Sequence, residues 1–234
     1  MRWTIWLSLA CAVLAVAPVT AAAKPRPRSL DRCIHAGRET RIVPVVANRG
    51  DRVDAAVLGR GQIGVVLANQ SDRNLCAWRP FARVLERHHY RVLLFDYGYS
   101  GTAWTEVAAA AHELRLLGVR KVFLVGASEG AKASIMAAAK HTPASGIVSL
   151  SAERYIGSID VEPWAARLRR PILFVTAQAD PYSENDTPAL YRACESHDKT
   201  LLTLPGAAHG VALFHRSTSA LLRRRILTFL GSHA

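Results

Sequence analysis

Three residue types stand at positions where they could break a covalent bond: a serine between two glycines, an aspartate and a histidine. Lys121-Val122-Phe123-Leu124-Val125 runs straight into Gly126-Ala127-Ser128-Glu129-Gly130, and a helix-forming stretch, Ala131 to Lys140, follows. A serine on a sharp strand-to-helix turn needs small residues two positions to either side, because larger side chains would collide there. Such a turn lifts the hydroxyl out of the sheet and sets the start of the helix beneath it. The amide of Glu129 can then stabilise negative charge on a tetrahedral intermediate. The pentapeptide alone is common by chance; the strand before it and the helix after it are the context the motif requires.

A serine hydroxyl is a poor nucleophile at neutral pH, so it needs a base within hydrogen-bonding reach and an acid to orient that base. Asp180 follows the apolar run Pro171 to Thr176 through Ala177-Gln178-Ala179, and His209 follows Thr200 to Leu204 in the loop Pro205-Gly206-Ala207-Ala208-His209-Gly210. Both therefore fall at carboxyl ends of strands, where open α/β sheets gather their ligand sites. His88, His89, His112, His141, His197, His215 and His233 lie on expected helices or near the termini and read as surface residues.

The elements that must hold these residues alternate. Ile63 to Ala68, Arg91 to Phe95, Lys121 to Val125, Gly146 to Leu150, Pro171 to Thr176 and Thr200 to Leu204 are continuous apolar runs, the pattern of parallel strands buried on both faces. Arg41 to Val46 and Asp54 to Leu58 read as a pair of edge strands around Asn48-Arg49-Gly50-Asp51. Ala77 to His88, Thr102 to Leu117, Glu129 to Lys140, Glu184 to Ser196 and Ser217 to Leu230 have helical length and apolar spacing. The expectation is an α/β fold with a central, mostly parallel sheet of about eight strands flanked by helices. Ser151 to Arg170 is the only room for a cap, so the cap is minimal, with one short helix around Trp164 and an open site.

With these residues in place, the chain resembles the α/β-hydrolase superfamily over nearly all of its folded part. Strand-Gly126-x-Ser128-x-Gly130-helix, strand-x-x-x-Asp180 and Gly206-x-x-His209-Gly210 carry the likeness, with Phe95-Asp96-Tyr97-Gly98-Tyr99-Ser100-Gly101 as a further matching loop in which Asp96 is structural. Its size and short cap are most similar to dienelactone-hydrolase-like or cutinase-like members. The resemblance implies a serine hydrolase that acts on a small-molecule ester or thioester through Ser128, His209 and Asp180, without a cofactor or metal. A non-catalytic or weakly active binding protein of the cell envelope on the same fold is the alternative. Many members carry a His-Gly pair after the third strand, where an amide completes the oxyanion hole. This chain reads Leu67-Ala68-Asn69-Gln70-Ser71-Asp72, which leaves the amide of Ser71 or Gln70 as second donor. Some members place their acid one strand earlier, which makes Glu153 in Ser151-Ala152-Glu153-Arg154 the alternative acid; otherwise it would pair with Arg154 or line the acyl pocket.

Composition bounds the rest. The 234 residues suit one domain. Trp3 to Val19 is an uncharged run ending near Ala21-Ala22-Ala23, read as a secretory signal peptide over 1–23; a basic, proline-containing leader over 24–29 precedes the domain at 30–234. The expected location is secreted, periplasmic or in the cell envelope. Export permits one disulfide among Cys33, Cys76 and Cys194, with the pair left open, and their wide spacing is not that of a metal site. The formal charge is +12, from 30 Lys and Arg against 18 Asp and Glu. These basic residues are scattered and not interleaved with aromatic ones, so no specific nucleic-acid partner is expected, only weak attraction to anionic envelope surfaces.

Overall fold

The computed structural model describes residues 29–37, 40–47, 50, 52–98 and 102–234. The signal peptide over 1–23, the leader up to residue 28, most of the turn at 48–51 and Tyr99-Ser100-Gly101 lie outside the described residues. Eight strands form one sheet: β1 (Thr40–Val46), β2 (Arg52–Leu58), β3 (Ile63–Ala68), β4 (Tyr90–Phe95), β5 (Lys121–Ala127), β6 (Gly146–Leu150), β7 (Ile172–Ala177) and β8 (Lys199–Leu204). Their spatial order is β1-β2-β4-β3-β5-β6-β7-β8. β2 runs antiparallel to both neighbours and every other pairing is parallel. β1 is thus an edge strand, while β2 lies one place inward against β4.

Both faces of the sheet are covered, which is why its central strands carry unbroken apolar runs. α2 (Ala103–Leu116), α3 (Glu129–Ala139), the single turn α4 (Glu162–Ala165) and α5 (Asp186–Ala193) pack on one face, burying Val107, Leu114, Ile135 and Leu190. α1 (Arg79–Arg87) and α6 (Ser219–Ser232) pack on the other, where Phe81, Leu85, Leu222 and Ile226 meet Trp78 and Phe214. α5 is shorter than its pattern predicts. Its chain turns extended at Cys194 (φ −64°, ψ 128°), so Glu195 and Ser196 lie on the approach to β8 and not on the helix.

The cap contains the expected short helix and also a two-stranded ribbon, Tyr155–Ile156 against Ile159–Asp160, which two-residue strands cannot announce through periodicity. Two 3₁₀ turns, Leu75–Trp78 and Gly210–His215, were likewise unmarked in the sequence pattern. A second ribbon pairs Ser29–Leu30 with Ile34–His35. It is tied to the first 3₁₀ turn by a disulfide between Cys33 and Cys76, which settles the pairing left open above, and Cys194 is a buried free thiol.

Candidate active site

Register brings the site together. Ala68 of β3 lies beside Gly126, Ala127 beside Leu150, Leu150 beside Val175, and Ala177 beside Leu204, so five neighbouring strands end along one edge of the sheet. Ser128 occupies the turn between β5 and α3 with φ 49° and ψ −112°, a conformation that costs a non-glycine residue of order 1–3 kcal/mol. Its amide is held by the Leu150 carbonyl at 2.8 Å, continuing the sheet past the strand end. The flanking glycines have separate tasks. A Cβ at Gly126 would overlap the Gly130 carbonyl, and one at Gly130 would overlap the Ala68 carbonyl and crowd the Asn69 oxygen at 2.7 Å. The first lets the turn close; the second lets α3 begin directly against the end of β3.

Asp180 is fully buried and its carboxylate is surrounded by donors. His209 Nδ1 lies 2.9 Å from Oδ2 and 3.0 Å from Oδ1, the Ser183 hydroxyl donates to Oδ2 at 2.7 Å, and the Tyr182 amide donates to Oδ1 at 3.1 Å. Burial pushes this carboxyl up, but the bonds from His209, Ser183 and Tyr182 outweigh it and hold Asp180 below the usual aspartate range. The Tyr182 ring stands edge-on to the imidazole, 5.1 Å between centres.

The His209 loop is pinned from two sides. The Gly210 amide donates to Ser151 Oγ at 3.0 Å, and the Val211 amide donates to Gln70 Oε1 at 2.9 Å. Gly210 has φ 56°, and a side chain there would strike the Gln70 amide oxygen. Gln70 thus enters the site through its buried side chain, as a strut between the loop after β3 and the loop after β8. That loop has no glycine and is ordered by side chains in its place: Asn69 Nδ2 donates to the Arg73 carbonyl at 2.5 Å and to Asp96 Oδ1 at 3.0 Å, while the Leu75 amide donates to the same Asp96 oxygen at 2.6 Å. Its closeness to Gly130 sets the Asn69 to Ser71 segment beside the start of α3, where Glu129 lies. A groove of about 540 Å³ opens on the His209 side, lined by Gln70, Tyr182, Ala208, Val211 and Arg216 among others.

Glu153 is in the site but lies on the Ser128 side of His209, while Asp180 holds Nδ1. Its Oε1 and Oε2 accept the Ser128 hydroxyl at 3.2 and 3.4 Å, and Oε1 lies 3.8 Å from His209 Nε2. Among the described residues no hydrogen bond joins Ser128 to His209 directly. Pairing of Glu153 with Arg154, raised above as its structural role, does not occur: Arg154 is engaged by Asp160 at 2.7 Å and Glu162 at 3.2 Å. The partner of Glu153 is Lys132, whose Nζ sits 2.5 Å from Oε2. Sequence reasoning missed Lys132. The available signal was its place one helical turn after Ser128, in a stretch otherwise made of small and apolar residues.

No protein-family profile matches the chain, and no curated protein matches it in sequence. Solved structures do match in shape. An esterase of Pyrococcus furiosus superposes with a TM-score of 0.75 at 15% identity, covering 83% of this chain and 90% of that one. A dienelactone hydrolase of Anabaena variabilis gives 0.72 at 17% identity, over 83% and 97% of the two chains. A monoacylglycerol lipase of Paleococcus ferrophilus gives 0.67 at 18% identity, over 78% and 99%. With the strand order and the single antiparallel strand, this likeness gives the chain the α/β-hydrolase fold.

Proposed function

We propose that the protein is a serine hydrolase, exported to the cell envelope or beyond, that cleaves an ester or thioester through an acyl-enzyme. The observation that carries this reading is the His209–Asp180 pair, held at 2.9 Å beside a serine on a strained strand-to-helix turn. In the proposed reaction Ser128 Oγ attacks the acyl carbon while His209 Nε2 takes its proton. The tetrahedral oxyanion is stabilised by the amide of Glu129 and by that of Gln70 or Ser71. The bond to the leaving oxygen or sulfur breaks as His209 returns the proton to it, toward the groove on its own side. Water then attacks the acyl carbon as His209 takes its proton, and the acid leaves as His209 returns that proton to Ser128 Oγ. Asp180 stays ionised and holds the imidazole in the tautomer with hydrogen on Nδ1.

One observation favours a second reading, a weakly active or non-catalytic binding protein: the resting Ser128 hydroxyl donates to Glu153 and not to His209. Labelling by a fluorophosphonate probe and turnover of a p-nitrophenyl ester series, with Ser128→Ala as control, separate the two. The hydrolase reading expects both signals in wild type and neither in the variant. A folded wild type with neither signal would decide for the binding protein.

A further inference from the structure

The Glu153–Lys132 pair touches the Ser128 hydroxyl, yet the proposed acyl transfer does not use it. Three contacts immobilise it. Lys132 is buried, its side chain 8% exposed, and donates to the Tyr155 carbonyl at 2.9 Å as well as to Glu153. The backbone around Glu153 is gripped by α5, where the Thr187 hydroxyl donates to the Ala152 carbonyl at 2.8 Å and the Arg154 amide donates to Asp186 at 2.9 Å. The neighbouring Arg154 guanidinium is committed to Asp160 and Glu162 and does not cover the carboxylate.

A carbonyl carbon bound to Ser128 has three substituents, and two directions are already taken. Its oxygen turns to the start of α3 and the loop after β3; its leaving group turns to His209 and the groove there. The acyl chain is left with the direction of the β6 end, past Glu153. An acyl substituent therefore meets a fixed carboxylate a few ångströms from the attacked carbon. Lys132 holds that carboxylate from α3, pairing with Oε2 while its remaining hydrogen bond goes to the Tyr155 carbonyl. Lone pairs on Oε1 not used by Ser128 remain for a donor. The overall charge of +12 acts against a cation, but exposed charges are screened beyond about 8 Å at physiological salt, and the carboxylate acts well inside that distance.

We infer that Glu153, anchored by Lys132, sets acyl specificity, selecting acyl groups with an ammonium or other hydrogen-bond-donating substituent near the carbonyl and rejecting those with a carboxylate there. This rests on the hydrolase reading above, and the test keeps the two apart. Three methyl esters suffice: methyl butanoate, its isostere methyl 3-aminopropanoate, and monomethyl malonate. Each kcat/KM is divided by that ester's own hydroxide-catalysed rate constant, which removes differences in intrinsic reactivity.

In wild type the normalised value for the ammonium ester should exceed that for methyl butanoate by about tenfold, and the malonate should fall below it by at least about tenfold. In Glu153→Gln the ammonium-to-neutral ratio should drop to within about twofold of one. Equal normalised rates for all three esters in wild type would overturn the inference and leave the hydrolase intact. Absence of turnover together with absence of fluorophosphonate labelling would overturn both. Thermal melting checks that Glu153→Gln is folded; were it not, the wild-type ratios alone would decide.

Discussion

Asp180 shows how much of a site can rest on one carboxylate. Its depressed titration means that it contributes stability above about pH 4, the unfolded value, and that this contribution is lost as pH falls through the lower folded value. Its proposed role in catalysis is separable. Asparagine keeps the shape but offers an amide donor toward Nδ1, which favours the wrong tautomer of His209. Asp180→Asn is accordingly expected to lower kcat by about 10³- to 10⁴-fold with little change in KM, and ester kinetics beside a thermal melt at pH 7 would check it. A loss of activity that only tracked a loss of fold would contradict the assignment. That Ser128, Asp180 and His209 gather at one edge of the sheet was legible in the sequence because each follows a strand, and strand ends converge. Lys132 was not, because its role depends on Glu153, 21 positions away in sequence, reaching across from a different strand end. The side chain of Gln70 was illegible for a related reason: its amide oxygen braces Val211, on the loop after the last strand, 141 positions away in sequence.

At the scale of elements, the strand-to-helix turn works because α3 starts in contact with the end of β3. Gly130→Ala places a methyl group into the Ala68 and Asn69 carbonyls, so α3 must shift away from the loop that holds Gln70 and Ser71. The expected cost is about 1–3 kcal/mol of stability by urea unfolding, with a much larger fall in fluorophosphonate labelling, since labelling depends on the relation of Ser128 to that loop. A variant that lost stability but labelled at the wild-type rate would show that the contact is mere packing. The inner parallel strands β3 to β7 and the helices between them could be read from apolar runs because burial on both faces writes a long pattern. β8, expected to be buried on both faces like them, is instead the second edge strand, with only Leu204 buried. The cap ribbon at Tyr155–Asp160 and the two 3₁₀ turns could not, since pieces of two to six residues are shaped by their neighbours and not by their own periodicity.

At the scale of the molecule, the first loop of the site is joined to the amino-terminal ribbon through Asp96. Burial lifts the Asp96 carboxyl to about 7, and a hydrogen bond and charge shared with the Asp31 carboxyl add to the rise; the Leu75 amide and the Asn69 side chain work the other way. An aspartate in the unfolded chain titrates near ~3.9. The folded state therefore keeps a proton that the unfolded state releases between these values. The stability from this group is full below about pH 4 and is lost as pH rises to about 7. Asp96→Asn removes the titration while keeping an oxygen for the Leu75 amide. Urea unfolding at pH 5.5 and pH 8 should show the variant gaining about 1–2 kcal/mol relative to wild type at the higher pH, a modest value because the carboxyl is partly solvated. An identical pH dependence in both proteins would place the titration elsewhere.

The Cys33–Cys76 bond joins that same ribbon to the 3₁₀ turn that follows the Asn69 to Arg73 loop. A covalent tie there makes the chain's oxidation history part of the architecture around the candidate site. Protein assembled in a reducing cytosol and protein assembled in an oxidising compartment share every residue, yet only the second has the segment after the Asn69 to Arg73 loop leashed to the amino-terminal ribbon. Preparations that differ in this one bond are distinct molecules, and their specific activities should be compared only after their thiols have been counted.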